Sequence, residues 1–389
     1  MKIIHLSDLH LGKRVYDYSM DDDQEYILKE ILKVIKDEKA DAVVIAGDIY
    51  DRSIPSEKAV SLFDEFLTNL MKEKVPTLVI SGNHDSAERI SFGNKIMEAS
   101  NIFMSERYEG NVKKVTLEDK YGPVNFYLLP FIKPSDVRFV YPNEEIKNDT
   151  DAMSVVIKNM NINKNERNVL ISHQFVTGAS LGGSEESIVV GTLDNVDAKV
   201  FKDFDYVALG HIHGRQNVGG DERICYCGTP LKYSFDECNQ QKGVKVVNLL
   251  EKKDGKTTSE HKYVELVPLH EMRKLKGEFK QLMDPENYKK TNREDYFMIT
   301  LLDEDDVVNG QAQLQSVYKN LMKLDYDNTR TRTENSIEDY KAAIGMNPID
   351  LVDKFYEYRN GSAMSDEKKE YMKGIIESIW NGGDEIETN

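Results

Sequence analysis

Ala42-Val43-Val44-Ile45-Ala46-Gly47-Asp48-Ile49-Tyr50-Asp51-Arg52 decides how the rest of the chain is read. A short β-branched run that stops at a glycine reads as a buried parallel strand delivering a carboxylate, Asp48, to a sheet edge. The pattern recurs on either side. Lys2 to Leu6 predicts a strand that leaves through Ser7-Asp8-Leu9-His10, and Thr77-Leu78-Val79-Ile80 predicts another that ends in Ser81-Gly82-Asn83-His84-Asp85. Between the strands the apolar period changes to that of a helix. Tyr26 to Lys36 places Ile27, Ile31, Leu32 and Ile35 on one face, and Pro55 to Met71 turns Val60, Phe63, Phe66, Leu67 and Leu70 inward. Strand, polar loop and helix repeated three times predict an α/β layered sheet, whose functional groups belong at the carboxyl ends of the strands.

Further along, Val115-Thr116-Leu117 and Val124 to Leu128, separated by Tyr121-Gly122-Pro123, predict antiparallel strands. The apolar-strand signal returns at Asn168 to Ile171, before Ser172-His173, and at Tyr206 to Leu209, before Gly210-His211-Ile212-His213. Gly178 to Thr192, rich in Gly and Ser, reads as a mobile loop. Val244 to Leu249 and Tyr263 to Leu269 are expected to finish the second sheet, giving a two-sheet sandwich flanked by helices. The character changes near Pro268. A helix over Met272 to Met283, a strand over Asp295 to Leu302 and a helix over Gln311 to Leu324 predict a small α+β module. Two helices close the chain, Pro348 to Tyr358 and Ser365 to Trp380, turned at Asn360-Gly361, and Asp384 to Asn389 reads as a frayed end.

A chain of 389 residues exceeds what one core usually holds, so two or three domains are expected. The formal charge of −17 argues against non-specific adhesion to polyanions, although carboxylates gathered around divalent cations count as negative in a tally while attracting phosphate. Cys225, Cys227 and Cys238 lack the paired spacing of a zinc knuckle and read as reduced thiols of a reducing compartment. Asp8 and His10 interrupt the apolar start before a signal-peptide core can form, and no apolar run is long enough to span a bilayer. The expected address is the cytoplasm.

Five strand ends thus offer metal-ligand side chains: Asp8 and His10; Asp48; Asn83 with His84; His173; and His211 with His213. Of the 8 histidines, only His5, His261 and His270 lie elsewhere, which random placement would rarely produce. A lone loop histidine is ordinarily a packing or surface residue, so the set carries the signal. Oxygen and imidazole ligands without thiolates favour a Mn, Fe or Zn type of ion. Two ions roughly 3.5–4 Å apart need a ligand that reaches both, a part that suits the carboxylate of Asp48.

Asp8-x-His10, Gly47-Asp48, Gly82-Asn83-His84-Asp85, His173 and Gly210-His211-x-His213 resemble, in order and on strand ends, the five-block signature of the calcineurin-like metallophosphoesterases over residues 1 to about 215. With Leu6-Ser7-Asp8-Leu9-His10-Leu11-Gly12, Gly228-Thr229-Pro230 and the order of parts after residue 268, the whole chain is similar to the SbcD family, related to the meiotic-recombination nucleases. The resemblance implies a metallophosphoesterase domain over residues 1–268, a DNA-contacting capping domain over 269–335, and a helical pair over 336–389 that grips the coiled coil of an SbcC-like ATPase. It implies two divalent ions, most simply Mn2+, the first on Asp8, His10, Asp48 and His213, the second on Asp48, Asn83, His173 and His211. His84 then faces the scissile phosphate as a catalytic residue, and Asp85 resembles the residue that orients it, although a helix cap accounts for Asp85 equally well. The implied activity is exonuclease action on double-stranded DNA ends and endonuclease action on hairpins, in DNA repair, recombination and replication. A homodimer through the helices after the second and third strands and a heterotetramer with the ATPase are implied with it.

Gly47-Asp48-x-x-Asp51-Arg52 also looks like the phosphoprotein phosphatases, in which the arginine grips a phosphate dianion, whereas some nuclease relatives carry histidine where this chain has Asp51. A phosphomonoesterase and a catalytically silent scaffold are therefore the alternatives.

Overall fold

The structure is a computed structural model that describes residues 1–179, 195–328, 348–360 and 363–381. Four strands, β1 (Lys2–Leu6), β2 (Ala42–Ala46), β3 (Thr77–Ile80) and β4 (Ile102–Met104), lie side by side and parallel. Every residue of β2 is buried, as a strand covered on both faces requires. The first two crossovers are helices α1 (Asp21–Glu38) and α2 (Glu57–Lys72). Three aspartates in the first turn of α1 and Lys36 in its last complement the helix dipole, and Ser56 caps α2 by accepting from the Ala59 amide. On α2, Val60 is 45% exposed; Ala59 and Leu62 join Phe63, Phe66, Leu67 and Leu70 in the buried set. The sequence expectation placed Val60 one helical position too far inward.

The second sheet contains β5 (Lys113–Asp119), β6 (Gly122–Leu128), β7 (Arg167–His173), β8 (Tyr206–Gly210), β9 (Gln216–Val218) and β10 (Asp221–Tyr226), in the order β9-β10-β8-β7-β6-β5. The pairs β6/β7, β7/β8 and β8/β10 are parallel, and the two edge pairs are antiparallel. Helix α3 (Asp149–Asn159), capped by Asn148, covers this sheet with Ala152, Met153, Val156 and neighbours.

The alternating runs after residue 243 form β11 (Gly243–Lys253) and β12 (Lys256–Glu265), and these complete the first sheet. β11 pairs antiparallel with β1, Lys2 opposite Asn248 and His5 opposite Lys245, so the expected assignment to the second sheet is corrected. Alternation reports which faces are buried and says nothing about which sheet edge accepts the strand. Both faces of β11 are in fact covered: Val244 and Val246 pack with α1 and α2, while Val247 and Leu249 pack between the sheets. The layers are therefore helix, sheet, sheet, helix, with Ile3, Val44, Leu78 and Ile80 meeting Phe126, Leu128, Val169 and Ala208 in the middle.

Beyond residue 268, β13 (Met272–Gly277), β14 (Tyr296–Leu301) and β15 (Asn320–Tyr326) form a three-stranded sheet in that order. Two predicted helices are corrected here. Met272 to Met283 is a strand followed by a turn of helix at Phe279–Leu282, because Asp295 takes the Glu271 amide and the Arg273 guanidinium and draws the segment into the sheet. Gln311 to Leu324 is a short helix, Gly310–Gln315, followed by β15; Arg293 donates to the carbonyls of Ser316 and Val317 and closes the helix there. Leu314, Val317, Tyr318 and Leu321 sit at helical spacing and are all buried, yet Leu314 belongs to the helix, Leu321 to β15, and Val317 and Tyr318 to the turn between them.

The chain separates into two compact units, residues 1–275 with 283–299 and 311–324, and residues 276–282 with 300–310 and 325–389. The second contains helices α4 (Pro348–Asn360) and α5 (Asp366–Asn381), which Lys369 ties together through Asp353 at 2.6 Å. Leu351, Phe355 and Tyr371 on these helices are exposed. Among the described residues no helix is long and apolar enough to cross a membrane. The expected loop of residues 178–192 lies outside the described residues from 180 onward, as do Gly361 of the helical turn and the end from 382.

Candidate metal centre

Asp8, His10, Asp48 and His211 adopt positive φ, at 53°, 45°, 50° and 104°. Non-glycine residues rarely hold that conformation, and where several do so together the surrounding bonds must impose it. The loops after β1 and β2 are laced to each other: the amides of Asp8, His10 and Leu11 donate to the carbonyls of Gly47, Asp48 and Ile49 at 2.9–3.0 Å. The His211 amide donates to Asp8 Oδ1 at 3.0 Å. Gly82 must be glycine because a Cβ there would lie 2.1 Å from Asp48 Oδ1.

This lacing brings the side chains of all five strand ends together. His10 Nε2 and His213 Nε2 are 3.1 Å apart. Asp48 Oδ2 lies 3.8 Å from His10 Nε2 on one side and 3.3 Å from His173 Nε2 on the other. Asn83 Oδ1 lies 3.0 Å from both His173 Nε2 and His211 Nδ1. Two triads have donor atoms mutually within 4.8 Å: Asp8, His10 and His213; and Asp8, Asp48 and His173. Asp8 belongs to both triads, and Asp48 Oδ2 lies between His10 of the first and His173 of the second. Asp8, His10, Asp48 and His173 are all at most 2% exposed.

Burial pushes the Asp8 carboxyl up to about 6 and His10 well below its ordinary value. Burial, and then the charge of His173, takes His211 down to about 3. Neutral imidazole is the form that binds metal. Burial opposes a charge on His173, but Asp48 and Asp8 outweigh it and hold this ring up to about 9. Asp48 is held low despite its burial, first by His173. A nest of buried carboxylates that keeps a proton on His173 needs positive charge at that point, and inward-turned imidazole and carboxylate atoms are the donor set divalent ions use. The residues fit two such ions.

His84 lies beside this group, its ring centroid 5.1 Å from that of His10. Its amide donates to Asp48 Oδ1 at 2.9 Å and its Nδ1 to the Asp51 carbonyl at 3.1 Å. The hydrogen bonds of Asp85 go to main chain: its carboxylate accepts the amides of Ile49, Tyr50 and Gly82 at 2.9–3.0 Å. Two main-chain donors in the turn that carries Asp48 and one in the loop after β3 occupy both of its oxygens. The Asp51 carboxylate receives Lys13 at 2.5 Å and lies 3.7 Å from His10 Nδ1, while Arg52 is 80% exposed.

Cys225 and Cys227 are buried on separate partners, the Tyr206 hydroxyl at 3.0 Å and the Ser7 hydroxyl at 3.1 Å, and neither metal triad contains a cysteine. Several supporting residues gave no sequence signal. Gln24, on α1, donates to the His10 carbonyl at 2.7 Å and Tyr233 donates to the Leu9 carbonyl at 2.5 Å, although each lies outside the five blocks. Glu237, likewise outside the blocks, places its Oε1 3.5 Å from His213 Nδ1.

A family model described as calcineurin-like phosphoesterase matches residues 1–215, more than half of the chain. A second model, described as the type 5 capsule protein repressor C-terminal domain, matches residues 268–360. The chain is 30% identical over 387 residues to the SbcD polypeptide of the SbcCD nuclease from Staphylococcus epidermidis, covering 97% of this chain and 99% of that protein. It belongs to the SbcD family of calcineurin-like phosphoesterases. A second SbcD protein, from Staphylococcus saprophyticus and of the same name, is 31% identical, covering 98% of this chain and all of its own length at 100%. Among solved structures, a dimetal phosphatase from Danio rerio aligns with a TM-score of 0.39 at 12% identity, over 69% of this chain and 98% of its own. As an SbcD-family member the chain is a metal-dependent phosphodiesterase.

Proposed function

We propose that this chain is the nuclease component of a complex with an SbcC-like ATPase, and that it cleaves DNA at double-stranded ends and hairpins in DNA repair and recombination. The observation that carries the reading is the reach of the similarity: two proteins named as parts of the SbcCD nuclease match over 97% and 98% of the chain, including the region after residue 268 that hydrolysis of a small phosphomonoester would not need. In this reading residues 1–268 form the nuclease domain, 269–335 the capping domain beside DNA, and 336–389 the helical pair that binds the ATPase coiled coil. The exposed Leu351, Phe355 and Tyr371 support that last assignment. Phe92 and Ile96, at 85% and 80% exposure after β3, support a homodimer through this side of the first sheet. Two copies of each polypeptide then make a heterotetramer, working in the cytoplasm at the nucleoid.

Asp8, His10, Asp48 and His213 would hold the first ion, and Asp48, Asn83, His173 and His211 the second, with manganese as the working metal. Such a pair supplies charge that binds a phosphodiester and makes a water nucleophilic near neutral pH. His84 is the protein's own acid. Because its Nδ1 is committed to the Asp51 carbonyl, Nε2 is the nitrogen left to meet the substrate, and the protonated ring donates to the leaving oxygen or to the developing charge. Asp85 serves by holding the turn that presents Asp48.

The test is to incubate the pure chain with manganese, a labelled hairpin duplex and a phosphomonoester. Cleavage of the duplex, abolished by chelation, is the expected result. Turnover of the monoester alone would overturn the nuclease reading in favour of a phosphatase, and metal analysis that finds no bound divalent ion under manganese-replete conditions would favour a scaffold.

A further inference from the structure

His213, assigned to the first ion, draws its support from residues outside the five sequence blocks. Gly228 (φ +78°) packs on its main chain so closely that a Cβ would lie 2.5 Å from the His213 carbonyl oxygen. The amide of Thr229 donates to that oxygen at 3.1 Å, and Lys242 Nζ donates to it at 2.9 Å. Lys242 also holds Glu237 Oε2 at 2.7 Å, and the other carboxylate oxygen, Oε1, faces His213 Nδ1 at 3.5 Å. Glu237 is 1% exposed and Lys242 6%. A buried ion pair of this kind is costly unless its geometry is used, and here both members converge on one residue, the carboxylate on the imidazole of His213 and the ammonium on its carbonyl.

The geometry points to Glu237 and Lys242 as positioning residues for the first metal ion, with Glu237 fixing the tautomer and ring plane of His213 and Lys242 locking both the carboxylate and the His213 backbone. A carboxylate opposite Nδ1 keeps the proton there and leaves Nε2, the atom 3.1 Å from His10 Nε2, as the donor toward the ion. The same arrangement gives the Gly228-Thr229-Pro230 block a physical task. The inference rests on the reading of His213 as a first-ion ligand.

Metal-free full-length chain is titrated with Mn2+ and followed by calorimetry and by the electron paramagnetic resonance spectrum, in which two adjacent ions give a spin-coupled signal and a lone ion six lines. The wild type is expected to take two ions and show the coupled signal. Glu237→Ala should weaken one of the two sites about 10- to 100-fold and show six lines at intermediate loading. Glu237→Gln, which keeps an oxygen acceptor opposite Nδ1 and for Lys242, should recover most of the affinity, and Lys242→Met, which releases both the carboxylate and the His213 carbonyl, should weaken the same site. Lys242→Met also serves if Glu237→Ala fails to fold. Two full-affinity sites in Glu237→Ala or in Lys242→Met, or a Glu237→Gln variant that folds like the wild type and yet binds as weakly as Glu237→Ala, would overturn the inference. His213→Ala separates the two readings: unchanged loading there removes the ligand assignment itself, whereas loss of one site in His213→Ala with none in Glu237→Ala removes only the positioning role.

Discussion

The imidazole of His84 is tied to the main chain of Asp51, its Nδ1 donating to the Asp51 carbonyl at 3.1 Å. The amide of the same residue donates to Asp48 Oδ1 at 2.9 Å, so ring and backbone are both referenced to the turn that carries the central carboxylate. A histidine held at Nδ1 by a carbonyl has its tautomer set and its other nitrogen free for chemistry. His84 is thus attached to the ligand turn without belonging to either ligand group.

His84→Ala is accordingly expected to retain both ions while losing about 10²- to 10⁴-fold in cleavage rate, the usual contribution of one positioned acid. His213→Ala should lose one ion. Metal content measured on the two purified variants beside their cleavage rates checks this, and loss of metal in His84→Ala would refute its role as a non-ligand.

Asp85→Ala strips the acceptor from three main-chain amides, those of Ile49, Tyr50 and Gly82. Ile49 is fully buried and Tyr50 nearly so, and their donors have little water to turn to. The expected cost is about 2–4 kcal/mol, read by urea unfolding of the metal-free chain. Metal affinity should fall with it, since the turn that carries Asp48 loosens. Unchanged stability would show that the three bonds are replaced by solvent.

The contrast between His84 and Asp85 marks how far the sequence could be read. Strand ends are legible because a β-branched run followed by Gly-Asp or Gly-Asn-His reports both the strand and the group it delivers, and all five meet in space. What a side chain does once delivered depends on the local competition among donors. Asp85 lies next to His84 in the chain yet accepts from the Asp48 turn, and Asp51, ambiguous by motif, supplies the carbonyl that holds His84. Glu237 and Gln24 were invisible because their partners lie 24 and 14 residues away and no fixed spacing announces them. The two misread helices after residue 268 fail for a related reason: apolar residues at helical spacing, such as Leu314 and Leu321, serve two successive elements once Arg293 ends the first. Likewise β11 declares itself a strand but not that β1 is its neighbour.

Gly82→Ala tests the close approach behind the metal turn. The added methyl would meet Asp48 Oδ1 at 2.1 Å, Asp48 N at 2.5 Å and Asp48 Cγ at 2.8 Å, so the carboxylate must swing or the β2 turn must retreat. Either movement takes Asp48 out from between His10 and His173. Loss of at least one bound ion is expected, with the far-ultraviolet dichroism of the sheets retained. A variant that binds both ions with native affinity would show that the turn has slack the geometry does not suggest.

His5 offers a test of the buried interior by pH. It lies between the sheets, its Nδ1 2.8 Å from the Tyr206 hydroxyl and its Nε2 3.2 Å from the Leu209 carbonyl, and burial lowers it from 6.5 to about 3. The carbonyl fixes the proton on Nε2, so Nδ1 accepts from the tyrosine and the ring is neutral. In the unfolded chain the same group takes a proton near pH 6.5. Below that pH the unfolded state binds a proton that the native state refuses until about pH 3, so the contribution of His5 to stability is complete above pH 6.5 and is lost progressively as pH falls. Between pH 7 and pH 5 the loss amounts to about 2 kcal/mol. His5→Gln cannot titrate, and its stability in urea at pH 5 relative to pH 7 should therefore fall by about 2 kcal/mol less than that of the wild type. Both proteins are measured metal-free, so that the titration of Asp8 and the other site groups is common to the two and cancels in the comparison. Parallel pH curves for wild type and His5→Gln would mean that His5 accepts its proton in the folded protein, and that the bond to the Leu209 carbonyl does not hold the ring neutral.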